Sequence, residues 1–170
     1  MNSMVAIKLQ CNEENAAKLG ALHRVFASVC REITAYAAEA NCWNRVNLHH
    51  LTYHRIRGSY PLLGSQMTCN AIYSVSRMAK EKIENEKKSK RKVDGKEIVE
   101  HIYQKNIQIY FDRHTLSIKN KAISLFTMEG RIKFEVNIDE ETELKINKNK
   151  LKEIILTEVD NKYILKFEFN

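Results

Sequence analysis

Three groups of side chains have the types and spacing that chemistry requires. His50 and His54 stand four residues apart, so a helix puts both on one face, and with Cys42 they imitate part of a zinc site. The ligand pairs that such a site needs are missing. Cys11, Cys30, Cys42 and Cys69 form no C-x-x-C, so no metal is expected and these side chains read as ordinary core or rim residues. Asp139, Glu140, Glu141 and Glu143 suggest a two-metal cluster on paper. Two-metal nucleases collect carboxylates from separate elements that converge on one point, whereas these four share one polar stretch, so a solvated loop is expected. The third group is Lys87, Lys88, Lys90, Arg91 and Lys92, which closes the run E-N-E-K-K-S-K-R-K. Five cations beyond the last apolar stripe are free to reach phosphates.

Other catalytic patterns are absent from the sequence. It has no Gly-rich phosphate loop, no G-x-S-x-G, no H-E-x-x-H, and no H-x-E with a distant C-x-x-C. No cofactor is expected, and catalysis finds no support.

Charge says more. The chain of 170 residues carries 28 Lys and Arg against 21 Asp and Glu, a net +7. The excess is uneven: +5 over residues 1–80, +3 over 81–96, +2 over 97–133 and −3 over 134–170. A basic first two-thirds beside an acidic tail points to a polyanion partner. Hydrophobic residues at 44% and charged residues at 29% are ordinary globular values and exclude a disordered chain. Apolar runs such as Val5-Ala6-Ile7 and Ile154-Ile155-Leu156 are far short of the ~20 residues that span a bilayer, so no membrane partner is expected. The first residues show no secretory pattern, and a reducing cytoplasm is expected.

These residues must be positioned by elements that the periodicity locates. Met4 to Leu9 alternates as a strand. Asn12 then caps a helix of about 28 residues, with Glu13 and Glu14 in its first turn and a stripe from Leu19 through Leu22, Phe26, Val29, Ile33 and Tyr36 to Ala40. Asn47 is expected to cap a second helix that Gly58 stops, and Ser65 a third with the stripe Met67, Ala71, Ile72, Val75, Met78, Ala79, Ile83. Residues 93–106 fit a helix or a strand. From Ile107 the period becomes two, with strands over 107–111, 115–118, 122–126, 131–136, 154–159 and 163–169, and turns at Met128–Arg131 and Val159–Lys162. The economical arrangement is α+β: a small antiparallel β-barrel from residues 1–10 and 97–170, with a helical bundle, residues 11–96, inserted after its first strand.

Two segments carry a resemblance. The first is Leu48-His49-His50-Leu51-Thr52-Tyr53-His54-Arg55-Ile56-Arg57, followed by Tyr60-Pro61-Leu62-Leu63-Gly64-Ser65-Gln66-Met67 and on to Ile72. The second is Ile107-Gln108-Ile109-Tyr110-Phe111-Asp112-Arg113, then Leu116-Ser117-Ile118, Ile123-Ser124-Leu125 and Met128-Glu129-Gly130-Arg131. In this order they resemble the N-terminal part of TnpB (OrfB-type) proteins, transposon-encoded RNA-guided nucleases, and of their compact type V CRISPR relatives. The resemblance implies an oligonucleotide-binding-like barrel, the wedge domain, with an inserted helical recognition domain. It implies a cytoplasmic prokaryotic protein whose partners are guide RNA and target DNA.

In the family a RuvC nuclease domain follows the barrel. Here the resemblance covers only the binding half, so it implies a partner that cleaves, either a separate nuclease subunit or a full-length effector, and no nuclease activity of this chain. By resemblance, Tyr53 and Gln66 match positions that contact target-adjacent DNA. Asn70, one turn after Gln66, is expected to help, because glutamine and asparagine can both pair bidentately with adenine. The lysine that family members often carry shortly before that glutamine has no counterpart among Leu62, Leu63 and Gly64. Arg55, Arg57, Arg77, Lys119 and Lys121 join the five cations of 87–92 as expected nucleic-acid contacts. The alternative from another class is a protein-interaction module, an inhibitor or regulator that mimics an effector surface.

Overall fold

Asn12 begins the helical part as its side chain predicts. Its Oδ1 accepts a hydrogen bond from the Asn15 amide at 2.8 Å, and a helix runs from Glu13 to Ala40. The computed structural model describes residues 3–170. In chain order the elements are β1 (Met4–Leu9), α1 (Glu13–Ala40), α2 (Arg45–Ser59), a short 3-10 turn (Pro61–Leu63), α3 (Ser65–Lys87) and α4 (Gly95–Gln104). Then follow β2 (Ile109–Phe111), β3 (Leu116–Lys119), β4 (Ala122–Thr127), β5 (Gly130–Glu135), α5 (Glu140–Lys148), β6 (Leu151–Val159) and β7 (Lys162–Phe169). The protein is thus α+β, with four of its helices, α1–α4, lying between the first strand and the second.

Two compact units divide the chain. One takes the residues up to His23 together with Gln108–Asn170; the other is Arg24–Ile107. In the helical unit, Phe26, Val29, Ile33, Leu48, Ile56, Leu63, Met67, Ile72, Val75 and Ile102 are all buried. Phe26 has no exposed surface, and cutting such a side chain to alanine costs about 3–5 kcal/mol. Burial pushes the Cys30 thiol up to about 12, which makes it an inert core group.

In the β unit, one sheet has the order β1-β7-β6-β2 and the other β3-β4-β5, all pairs antiparallel. The expected closed barrel is not present among the described residues: no strand of one sheet is hydrogen-bonded to a strand of the other. The reason lies in the corner between β2 and β3. Asp112 Oδ1 accepts from the His114 and Thr115 amides and from Thr115 Oγ1. This Asx turn ends β2 after three residues and starts β3 in a new sheet. The helix α5 then separates β5 from β6. A cleft of about 240 Å3 is lined by Leu116 and Ile118 of one sheet, Ile154 and Phe167 of the other, and Ile146 of α5.

The hairpin turns follow local chemistry. Asp160 and Asn161 both have positive φ (51° and 60°), the two-residue turn that joins β6 to β7. Gly130 has φ 101° where β5 begins, a conformation that suits glycine alone.

Four local expectations change. Asn44, not Asn47, caps α2: its side chain accepts from the Val46 and Asn47 amides. Gly58 lies inside α2, which ends at Tyr60, whose amide bonds to the Ile56 carbonyl. Gly64 occupies the cap of α3 at φ 79°, and Ser65 is the first helical residue. Residues 139–143 are not a loop. Asp139 caps α5 by accepting from the Thr142 amide at 2.7 Å, and three glutamates fill the first turn, where the helix dipole favours them. The ambiguous 93–106 stretch is a helix because Asp94 caps it, accepting from the Glu97 amide at 2.9 Å.

Candidate nucleic-acid interface

The stripe Leu48, Thr52, Ile56 buries one face of α2, and Thr52 returns its hydroxyl proton to the Leu48 carbonyl at 2.8 Å. That leaves the neighbouring ridges outward. On one ridge His49 and Tyr53 lie ring on ring, centroids 4.7 Å apart and 19° from parallel. His54 meets the edge of Tyr53 at 5.3 Å. Tyr53 is half-buried, so its ring is neither a core aromatic nor a free one; it is held by its histidine neighbours.

Two arginines of α2 rest on rings of the neighbouring helices. Arg45 stands over the ring of Tyr73 in α3 at 5.1 Å, and Arg55 over the ring of Tyr36 in α1 at 4.9 Å. Such contacts hold a guanidinium against a ring without neutralising it. Arg57 donates to the Pro61 carbonyl at 3.1 Å, which ties the 3-10 turn to α2. The Tyr36 and Tyr60 hydroxyls both donate to the Glu32 carboxylate, at 3.1 and 2.8 Å. The bond to Glu32 raises the Tyr60 phenol above its ordinary range.

Gln66 is half-buried in the first turn of α3. Asn70, one turn on, faces inward at 8% exposure, with its Nδ2 3.6 Å from Met67 Sδ. Arg77 is half-buried near Glu81, whose carboxyl is held below its usual range by a hydrogen bond from Lys105 and more weakly by the Arg77 charge.

The basic run at the end of α3 divides in two. Lys87, Lys88, Lys90 and Lys92 are exposed. Arg91 is not free as its sequence context implies. Its Nε donates to Glu86 at 3.0 Å, and its two terminal nitrogens form a fork on Glu97 at 3.1 Å each. Lys82 donates to the other Glu86 oxygen at 2.7 Å. Hydrogen bonds from Arg91 and then Lys82 hold the Glu86 carboxyl down at about 2. Arg91 therefore fixes the corner between α3 and α4, and the four lysines project from a fixed corner.

Lys119 and Lys121 lie in the β unit, at the β3–β4 hairpin, and are exposed. Asn120 and Lys121 have φ of 52° and 57°, and their amides donate to the two Glu143 oxygens at 2.8 Å each. The acidic cluster is thus divided between capping a helix and holding a turn. Among the described residues no group of three or more His, Cys, Asp or Glu could hold a metal ion. No helix among them is long and apolar enough to cross a membrane.

Arg45, His49, Tyr36 and Tyr73 belong to this surface and were not singled out by motif. A plain signal marks the region nonetheless: residues 40–80 hold five Lys and Arg and three His but no Asp or Glu. Comparison with protein-family models and with curated protein sequences returns no match.

Proposed function

We propose that this chain is a nucleic-acid-binding module of the TnpB-like and type V CRISPR-like kind, which binds guide RNA and a short target-adjacent duplex and leaves cleavage to a nuclease partner. The observation that carries the reading is on α2, within a stretch, residues 40–80, that holds no Asp or Glu: Arg45 and Arg55 lie on tyrosine rings and His49 stacks on Tyr53. Stacked rings offer faces to bases, and cations without carboxylate partners offer charge to phosphates. The lysine corner supplies further charge. In this reading the two antiparallel sheets are an opened form of the wedge barrel, and the α1–α4 insertion is the recognition domain. Tyr53 and Gln66 act at the duplex, while Arg55, Arg57, Arg77 and the lysines act at phosphates.

The test is a filter-binding titration of a structured RNA at several salt concentrations. A log–log slope of roughly 0.7–0.9 per phosphate contact is expected. A flat response overturns the reading. Addition of Mg2+ or Mn2+ should produce no cleavage of the bound RNA or of a duplex. Co-elution of a protein and no RNA from the source cells would favour the protein-interaction class instead.

A further inference from the structure

The motif Gly130-Arg131 closes a second surface, in the β unit, that the reading above does not use. On the outer face of the β3-β4-β5 sheet the register is Ser117 beside Ser124 beside Lys133, and Lys119 beside Ala122 beside Glu135. Phe126 stands beside Arg131. The alternating burial of these strands sends Leu116, Ile118, Ile123, Leu125, Ile132 and Phe134 to the core and leaves this set outward. The floor of the face is small side chains, two serines and an alanine.

Arg131 is the unusual member. Its Nε donates to Ser124 Oγ at 2.9 Å, one terminal nitrogen to the Ser124 carbonyl at 2.9 Å and to Ser117 Oγ at 3.4 Å, and the other to the His114 carbonyl at 3.3 Å. All four acceptors are neutral. The guanidinium is therefore fixed across β4 and β3 while its charge stays uncompensated. Beside it, the half-buried Phe126 ring lies on the same face, and Lys119 and Lys133 flank the serine floor. Glu135 is the one carboxylate in the set. A fixed flat cation beside an aromatic ring, over a small hydroxyl floor with exposed lysines at its rim, fits stacked bases and their phosphates.

We infer that this sheet face binds single-stranded nucleic acid, with Phe126 and Arg131 as the stacking platform and Lys119 and Lys133 as phosphate contacts. The inference shares with the proposed function its class of ligand and Lys119, and otherwise rests on Phe126, Arg131 and Lys133, which that reading does not use. Fixing the arginine in advance lowers the ordering cost of binding, since the side chain has no freedom left to lose.

The experiment maps backbone amide shifts of the full chain on titration with an eight-nucleotide uridine strand. Shifts clustered at Ser117, Ser124, Phe126 and Lys133 are expected. Phe126→Leu should weaken binding about tenfold, as loss of one stacking partner does. Lys133→Gln should lower the salt slope by roughly 0.7. Arg131→Lys keeps the charge and loses the flat fork, so it should also weaken binding. If that variant melts early, the two others still decide. Shifts confined to residues 24–107 overturn this inference and leave the proposed function standing. Shifts confined to the sheet do the reverse, and no shift in either unit overturns both. A glutamate peptide of equal charge that binds the same amides as tightly shows an acidic-protein site and overturns the claim for bases.

Discussion

Residues 40–80 and residues 134–170 use charge in opposite ways. The first stretch has no carboxylate, and its arginines Arg45 and Arg55 rest on tyrosine rings. The second has nine carboxylates, and two of them, Asp139 and Glu143, accept backbone hydrogen bonds. Asp139 caps α5, and Glu143 holds both amides of the 120–121 turn. Hydrogen bonds from Thr142 keep the Asp139 carboxyl below its ordinary range. An exposed negative charge is thereby absorbed as a structural cap, while an exposed positive charge is left available. Net charge alone does not separate these roles; the partner of each group does.

The contrast breaks most easily at the lysine corner. Changing Lys87, Lys88, Lys90 and Lys92 together to Gln should weaken structured RNA by about a hundredfold and lower the salt slope by roughly 3. The matched quadruple change of Lys148, Lys150, Lys152 and Lys162 to Gln, in the acid-rich stretch, should change it by less than about threefold. Equal effects in a filter-binding assay would show that only net charge matters.

Next in size is the ring surface. Tyr53→Ala should cost about 1–3 kcal/mol in binding, because it removes a stacking face and frees His49. Gln66→Ala should lose discrimination at the target-adjacent duplex by a similar amount and leave RNA binding as it is. Melting temperatures measured beside affinities separate recognition from folding. Unchanged binding by both variants makes these residues scaffold.

Glu143→Gln sharpens the other side. It removes the charge that two turn amides share, at an exposed site, and should cost about 1 kcal/mol of stability. RNA affinity should hold or rise slightly. A loss of RNA affinity without loss of stability would put this carboxylate in a different role.

The smallest effect is a titration. The Glu86 carboxyl is held at about 2 by Arg91 and Lys82, below the ordinary glutamate range. A depressed value means that the fold favours the carboxylate. Its contribution is complete above the ordinary glutamate range and is lost as pH falls towards about 2. Protonation releases Arg91, so the protection of the Ser89–Arg91 amides relative to their intrinsic exchange rate should fall in that window and stay flat from pH 5 to 8. Arg91→Ala should give the low protection at every pH, because it removes the fork on Glu97 as well.

Some of this was legible and some was misread for identifiable reasons. The bounds of α1 and the turns at Met128–Arg131 and Val159–Lys162 follow from caps, stripes and φ-permissive residues that act within a few positions. The cap of α2 fell three residues early because Asn44 and Asn47 are equally good caps, and only the position of Leu48 in the core chooses between them. The helix α5 is readable as well: an aspartate followed by glutamates in a first turn is a helix start, where the polarity of the stretch alone points to a loop. On the candidate interface, the absence of acid over residues 40–80 was in plain view.

What the sequence determined by itself is therefore the set of elements and the sign of the charge along them, because hydrogen-bonded turns and amphipathic stripes are decided over short range. What only the tertiary structure decided is which groups remain available, and how the strands are divided. Arg91 is held by Glu86 and Glu97, while Lys87, Lys88, Lys90 and Lys92 project outward. Arg131 is fixed on serine and carbonyl oxygens from β4 and the start of β3. The strands form two sheets because a corner at Asp112 redirects the chain. Each of these outcomes depends on where a partner stands in space, and periodicity carries no information about that distance.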